Sequence, residues 1–407
     1  MMRDEDHMSA TKGLGPTSAG LALGGFFDVV GERAWAGRIR ALAAAMAGPQ
    51  RARQALLQRY AVEIMLERLR RQDIEATPGS TAAAVLGLAR ETAAVHSRLS
   101  RSGRVAMRAG LRACLEGENT LIPVLHLVRT AAAQRARGFG VEFSGYEAAA
   151  PYDLLIRRDG VEAEVVCEVV SAEEGRDVRR GAWVDLVDSI DPDLQTWLAA
   201  HPGRYLMKLT LPLGLSGAPD AEGCTLASLH ARIRTMLQTS QRADHDEAAV
   251  LRLDPLMLAA AQADELGLMS SLRREFGHEA HLAVTKHGDG VFVMAARAGR
   301  ANEVAGAIRR RMSAIAPARL TGTRPGILAM FVEDTDRAEW QHLRDRLELE
   351  GETRQFLTYE TARSVVAVTC ASRLEMLGGG NEGDLRFRNP SHPAGRLAAL
   401  APAVAPA

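Results

Sequence analysis

The sequence predicts a mixed α/β protein whose first third is entirely helical, and three observations carry this. Apolar residues recur at helical spacing from about residue 34 to 137. After Gly138 the texture changes to short, valine-rich alternating runs. An Asp159-Gly160 pair then sits between two such runs, the strongest short-range signal for a two-residue hairpin.

The helical region reads as several segments. Residues 34–47 are alanine-rich and punctuated by Pro49. Residues 51–71 carry Leu56, Leu57, Tyr60, Ile64, Leu66 and Leu69 on one stripe. Thr77-Pro78-Gly79-Ser80 is a break, after which helices are expected over 81–99, 103–116 and 121–137. Gly138 fits a C-terminal cap. Strands are expected at 140–143, 152–156, 162–171, 205–211, 281–286, 291–296, 326–332 and 365–370. Helices are expected at 175–190, 226–239, 303–315 and 337–349, with Asp191-Pro192 closing the first of these. The resulting organisation is a disordered N-terminus (1–20), a helical domain (30–137), one α/β domain (138–376) and a flexible Gly/Pro/Ala-rich tail (377–407).

Composition narrows the function. The 407 residues hold 50 basic and 50 acidic side chains, so any surface for a polyanion must be a local patch. Three of the basic residues are lysines, which leaves 47 arginines, a bias that weakens any argument from arginine alone. The four cysteines are scattered without a CxxC pair, arguing against structural zinc and for reduced thiols in the cytoplasm. Neither a signal-peptide pattern nor a membrane span is expected. No Walker A loop, Rossmann fingerprint or Gly-x-Ser-x-Gly elbow is present, and aromatics are only 4% of the chain, few for base stacking.

The chemistry-bearing segment is 151–171. Counting outward from Asp159-Gly160, Arg158 pairs with Val161 and Asp153 falls opposite Val166. Strand alternation then puts Asp153, Glu164, Val166 and Glu168 on one face. Three carboxylates on one face repel unless solvated or bridged by a cation such as Mg²⁺, which takes oxygen ligands and activates water.

Pro151-Tyr152-Asp153, the hairpin, and the helices expected before and after it resemble the core of the PD-(D/E)xK nuclease superfamily. The resemblance implies a restriction-endonuclease-like mixed sheet flanked by helices, DNA as substrate, Mg²⁺ on the acids, and a bacterial mobile-element or defence setting. Asp153 matches the first acid. Val166 stands where the family has its second acid, and Glu168 where it has lysine. Catalytic residues are then Asp153, Glu168 and Glu164, with Asp153 and Glu168 as metal ligands and Glu116 or Glu118 as replacement donors. Arg176, Arg179 and Arg180, opening the next helix, are candidate phosphate ligands. Arg309, Arg310 and Arg311, with Arg319 and Arg324 beyond, form the densest basic cluster and a candidate nucleic-acid face. The missing acid and lysine favour a second reading, a catalytically inactive nuclease-fold protein that binds DNA or protein as a scaffold. The helical region, which carries no chemical motif, suits a protein partner or self-association.

Overall fold

A computed structural model describes residues 18–71, 80–217, 225–256, 265–277, 279–378 and 383–405. Among the described residues seven helices come first: α1 (Ser18–Val30), α2 (Glu32–Ala45), α3 (Gln50–Arg59), α4 (Ala61–Arg71), α5 (Thr81–Arg98), α6 (Arg101–Cys114) and α7 (Ile122–Ala136). Ser80 and Ser100 cap α5 and α6 by accepting from the N–H groups of Ala83 and Gly103. Then come β1 (Gly140–Glu142), α8 (Ser144–Glu147), β2 (Leu154–Arg158) and β3 (Val161–Ser171). The β2–β3 turn has the expected residues, with Asp159 and Gly160 at φ 49° and 76°, and the register is the one counted from the sequence: Arg158 opposite Val161, Leu154 opposite Val165.

Past a 3-10 turn at Ala172–Gly175 the chain builds a second module: α9 (Arg180–Ala200), β4 (Arg204–Leu211), α10 (Leu226–Thr239), β5 (Ala243–His245), β6 (Val250–Pro255), α11 (Glu265–Phe276), β7 (His281–His287) and β8 (Gly290–Ala298). It returns at α12 (Val304–Arg319), followed by β9 (Gly326–Glu333), α13 (Arg337–Asp345), α14 (Glu348–Phe356), β10 (Val365–Ser372), α15 (Arg373–Met376), β11 (Leu385–Arg388) and α16 (Ala401–Val404).

Among the described residues the strands form two sheets, ordered β1-β2-β3-β9-β10-β11 and β5-β6-β4-β8-β7. In the first, β3, β9 and β10 are parallel and the other pairings antiparallel. The span 138–376 was expected as one α/β domain, and it holds both sheets, the second being an insertion between β3 and the crossover helix α12. The insertion's ends meet at Gly175, whose carbonyl accepts from the Glu303 N–H at 2.7 Å. A Cβ on Gly175 would lie 2.5 Å from the Val304 Cα, so the junction requires glycine.

Strand alternation gives the first sheet two cores. Leu154, Ile156, Val165, Ile327, Ala329 and Phe331 face α1 and α4–α7, and Leu155, Val166, Val170, Leu328, Met330 and Val332 face α12, Trp340 and Phe356. The N-terminal helices therefore share a core with the sheet rather than forming a domain of their own. Three further expectations are corrected. Pro192 lies inside α9 instead of ending it, leaving the Asp188 carbonyl without a helical donor. The 337–349 helix breaks at Leu347, where φ is 58°, into α13 and α14. The expected flexible tail contributes strand β11 and the buried Leu400, Ala403 and Val404, because its alanine-rich end packs beside the sheet. The expected disordered start lies outside the described residues up to residue 17, and Ser18 already begins α1. Cys114, Cys167 and Cys370 are free thiols, and no helix among the described residues is long and apolar enough to cross a membrane.

One buried group gives this core a pH dependence. His126 on α7 packs beside Phe331, and its Nε2–H donates to the Ala329 carbonyl at 2.8 Å, while Nδ1 has no partner among the described residues. Burial pulls its pKa from 6.5 down to about 4. Between these values the unfolded chain binds the proton and the folded chain does not, so stability rises with pH through the window and is lost as pH falls from 6.5 toward 4. The loss attributable to this residue is about 3 kcal/mol. Denaturation midpoints measured across pH 4–7 are expected to show it, with a shallower slope in His126→Gln.

Candidate functional site

The three acids of the hairpin do share a face, and that face is covered. Helix α12 lies on it because Val304, Ile308, Met312, Ile315 and Ala316 recur at helical spacing and pack against the β3 and β9 side chains. The same helix brings Arg311 and Arg319, eight residues and just over two turns apart, over the acids.

Asp153, immediately before β2, accepts from the Cys167 N–H through Oδ2 at 2.7 Å and from Arg319 Nη2 through Oδ1 at 2.8 Å. Glu168 takes Arg311 Nε at 2.8 Å on Oε1 and Arg319 Nη1 at 3.3 Å on Oε2. Arg319 thus bridges the two carboxylates, and its Nε also donates to the Pro151 carbonyl at 2.9 Å. Glu164 is fully buried. Its Oε2 accepts the Thr321 N–H at 2.9 Å, its Oε1 accepts the Thr321 hydroxyl, and Arg324 Nη1 lies 3.7 Å away. Burial raises the Asp153 pKa, opposed by Arg319 and by the Cys167 N–H. The neighbouring Cys167 thiol is pushed well up by burial, so it is no nucleophile at neutral pH.

Each carboxylate oxygen of Asp153, Glu164 and Glu168 therefore already has a donor, and two guanidiniums supply the positive charge that a divalent ion would bring. Among the described residues no three His, Cys, Asp or Glu side chains gather as a metal set. Glu116 and Glu118 are exposed in the loop after α6, and the Glu118 carbonyl is bonded to Arg59 and Tyr60. The residues in this arrangement do not fit a Mg²⁺ site.

The expected basic face is dispersed for a geometric reason. Consecutive helical residues point about 100° apart, so a run of three cannot share one face. Arg309 bonds Glu352 and Tyr359, Arg310 bonds Glu303 at 3.0 Å, and Arg311 turns inward to Glu168.

Arg176 and Arg180 lie beyond the carboxyl end of β3, in a polar cluster around Asp334 that sequence reasoning missed. It forms beyond the carboxyl ends of β3, β9 and β10 and centres on Asp334, a non-glycine residue at φ 60°. Arg59 from α3 grips both Asp334 oxygens at 2.8 and 2.9 Å, and the Ser171 hydroxyl donates to Oδ2 at 2.6 Å. Arg176, with its side chain 1% exposed, joins Glu173, Glu339 and the Asp334 carbonyl. Arg180 joins Asp336, Glu339 and the same carbonyl. Arg179 is exposed. Beside them Glu333 accepts from Thr120 at 2.9 Å and from Arg373 at 3.2 Å, and burial raises its pKa. The one signal available in the sequence was the Glu333-Asp334 pair closing an otherwise apolar strand.

Comparison of the chain with protein-family models, with curated proteins and with solved structures returned no match in any of the three. The nuclease resemblance thus rests on the hairpin residues and the order of elements around them.

Proposed function

We propose that the chain is a catalytically inactive protein on a nuclease-like core, acting through binding rather than through metal-dependent phosphodiester hydrolysis. The observation that carries this reading is the pairing of Asp153 and Glu168 with Arg311 and Arg319, which takes up the oxygens a metal would need. Helix α7 before hairpin β2–β3 supports the restriction-endonuclease-like part of the reading, whereas α9, the helix expected directly after the hairpin, packs on the second sheet, and α12 covers the first. Val166 supports the inactive part: it is fully buried in the α12-facing core, where an acid at the same position would be desolvated.

The test is cleavage of plasmid DNA in Mg²⁺ and in Mn²⁺ by the intact protein beside Asp153→Asn and Glu168→Gln. All three proteins are expected to leave the plasmid intact. Cleavage by the intact protein that both substitutions abolish would restore the reading of a Mg²⁺-dependent nuclease with a variant site.

A further inference from the structure

A cavity of about 580 Å³ lies between the end of α13, helix α14 and strand β11. That is within the roughly 300–1,000 Å³ range of small-molecule sites. Four arginines line it, Arg344, Arg354, Arg386 and Arg388, against two carboxylates, Glu350 and Asp384. Both carboxylates are already committed, Glu350 to Arg354 at 2.7 Å and Asp384 to Arg129 of α7. Arg344 is likewise paired, with Glu375 at 2.8 Å, so Arg386 and Arg388 are the lining cations with no carboxylate partner among the described residues.

The arginines are unevenly satisfied. Arg388 is exposed and has no ion pair among the described residues. Arg386 reaches the Ala405 carbonyl through Nη1 at 3.1 Å, yet its Nε is buried without a partner among the described residues. Arg354 is two-thirds exposed beyond its bond to Glu350. Leu385 and Phe387 add apolar lining. Among the described residues β11 is the last strand of its sheet, so one side of its backbone has no strand partner there.

We infer that this cavity binds a small phosphorylated organic anion. Planar guanidinium forks match phosphate oxygens in bidentate geometry, the two cations without a carboxylate partner suit a dianion, and the apolar lining takes the organic body. The site is separate from the Asp153–Glu168 face, and its test is independent of any metal.

The experiment is calorimetric titration of the full chain and of the Arg354→Ala/Arg388→Ala variant with ATP, with pyrophosphate and with inorganic phosphate. Both substituted side chains are exposed, so the variant is expected to fold, which a thermal melt checks. The expected result is saturable binding that weakens at least about tenfold in the variant and weakens with added salt. Tighter binding of ATP than of pyrophosphate or phosphate would assign a role to the organic body, and equal binding would assign the affinity to the phosphate group. Absence of binding by all three, or equal affinity in the variant, would overturn the proposal.

Discussion

Arg176→Met is expected to lower stability by about 3–5 kcal/mol, the effect of removing one partner from a buried ionic network. Arg176 ties three pieces of chain together: the turn after β3 through Glu173, helix α13 through Glu339, and the end of β9 through the Asp334 carbonyl. Methionine fills similar volume but leaves Glu173 and Glu339 leaning on Arg180 alone, whose side chain is 34% exposed. The exposed neighbour Arg179 provides the control, since Arg179→Met is expected to change stability by no more than about 0.5 kcal/mol. Denaturant midpoints of the two variants check this. Equal midpoints would mean that the cluster at the carboxyl ends of the strands does not hold the insertion against the first sheet.

The paired substitution Arg311→Met/Arg319→Met is expected to cost roughly 1–3 kcal/mol at neutral pH, less than a fully buried pair because the Arg311 and Arg319 side chains are 45% and 30% exposed. It leaves Asp153 and Glu168 facing each other beneath α12 without a countercharge. The deficit should shrink on acidification. Burial already raises the Asp153 pKa in the folded chain, and loss of Arg319 removes the largest force opposing that rise. A carboxyl whose folded pKa lies above its unfolded value favours the folded chain fully below the unfolded value, and that contribution disappears as pH rises through the folded one. Thermal melts of the variant and the parent from pH 4 to 7 should therefore converge toward the acid end. The same variant frees carboxylate oxygens, so Mn²⁺ is expected to raise its melting temperature by linkage while leaving the parent unchanged.

Much of the hairpin was legible because its determinants are local. Asp159-Gly160 sets the turn, the turn sets the register, and the register places Asp153, Glu164 and Glu168 on one face. What covers that face was not legible. Arg311 and Arg319 lie more than 140 residues beyond Glu168 in sequence, across an insertion that no composition shift marks. Their pairing is a tertiary event that the spacing of acids and bases does not encode. The run Arg309–Arg311 misled for the opposite reason: adjacency in sequence is divergence on a helix. Pro192 and the alanine-rich C-terminal segment misled because packing against the rest of the fold outweighed local propensity. The cluster around Asp334 draws residues from α3, the loop before α7 and three strand ends, so no local window contains it.

The most direct test of the account is calorimetric titration of Mn²⁺ into the intact protein at neutral pH, beside the Arg311→Met/Arg319→Met variant. No saturable binding to the intact protein and saturable binding to the variant are expected. Stoichiometric binding to the intact protein that Asp153→Asn abolishes would contradict this, showing that a metal displaces the arginines and that the acid face is a working metal site.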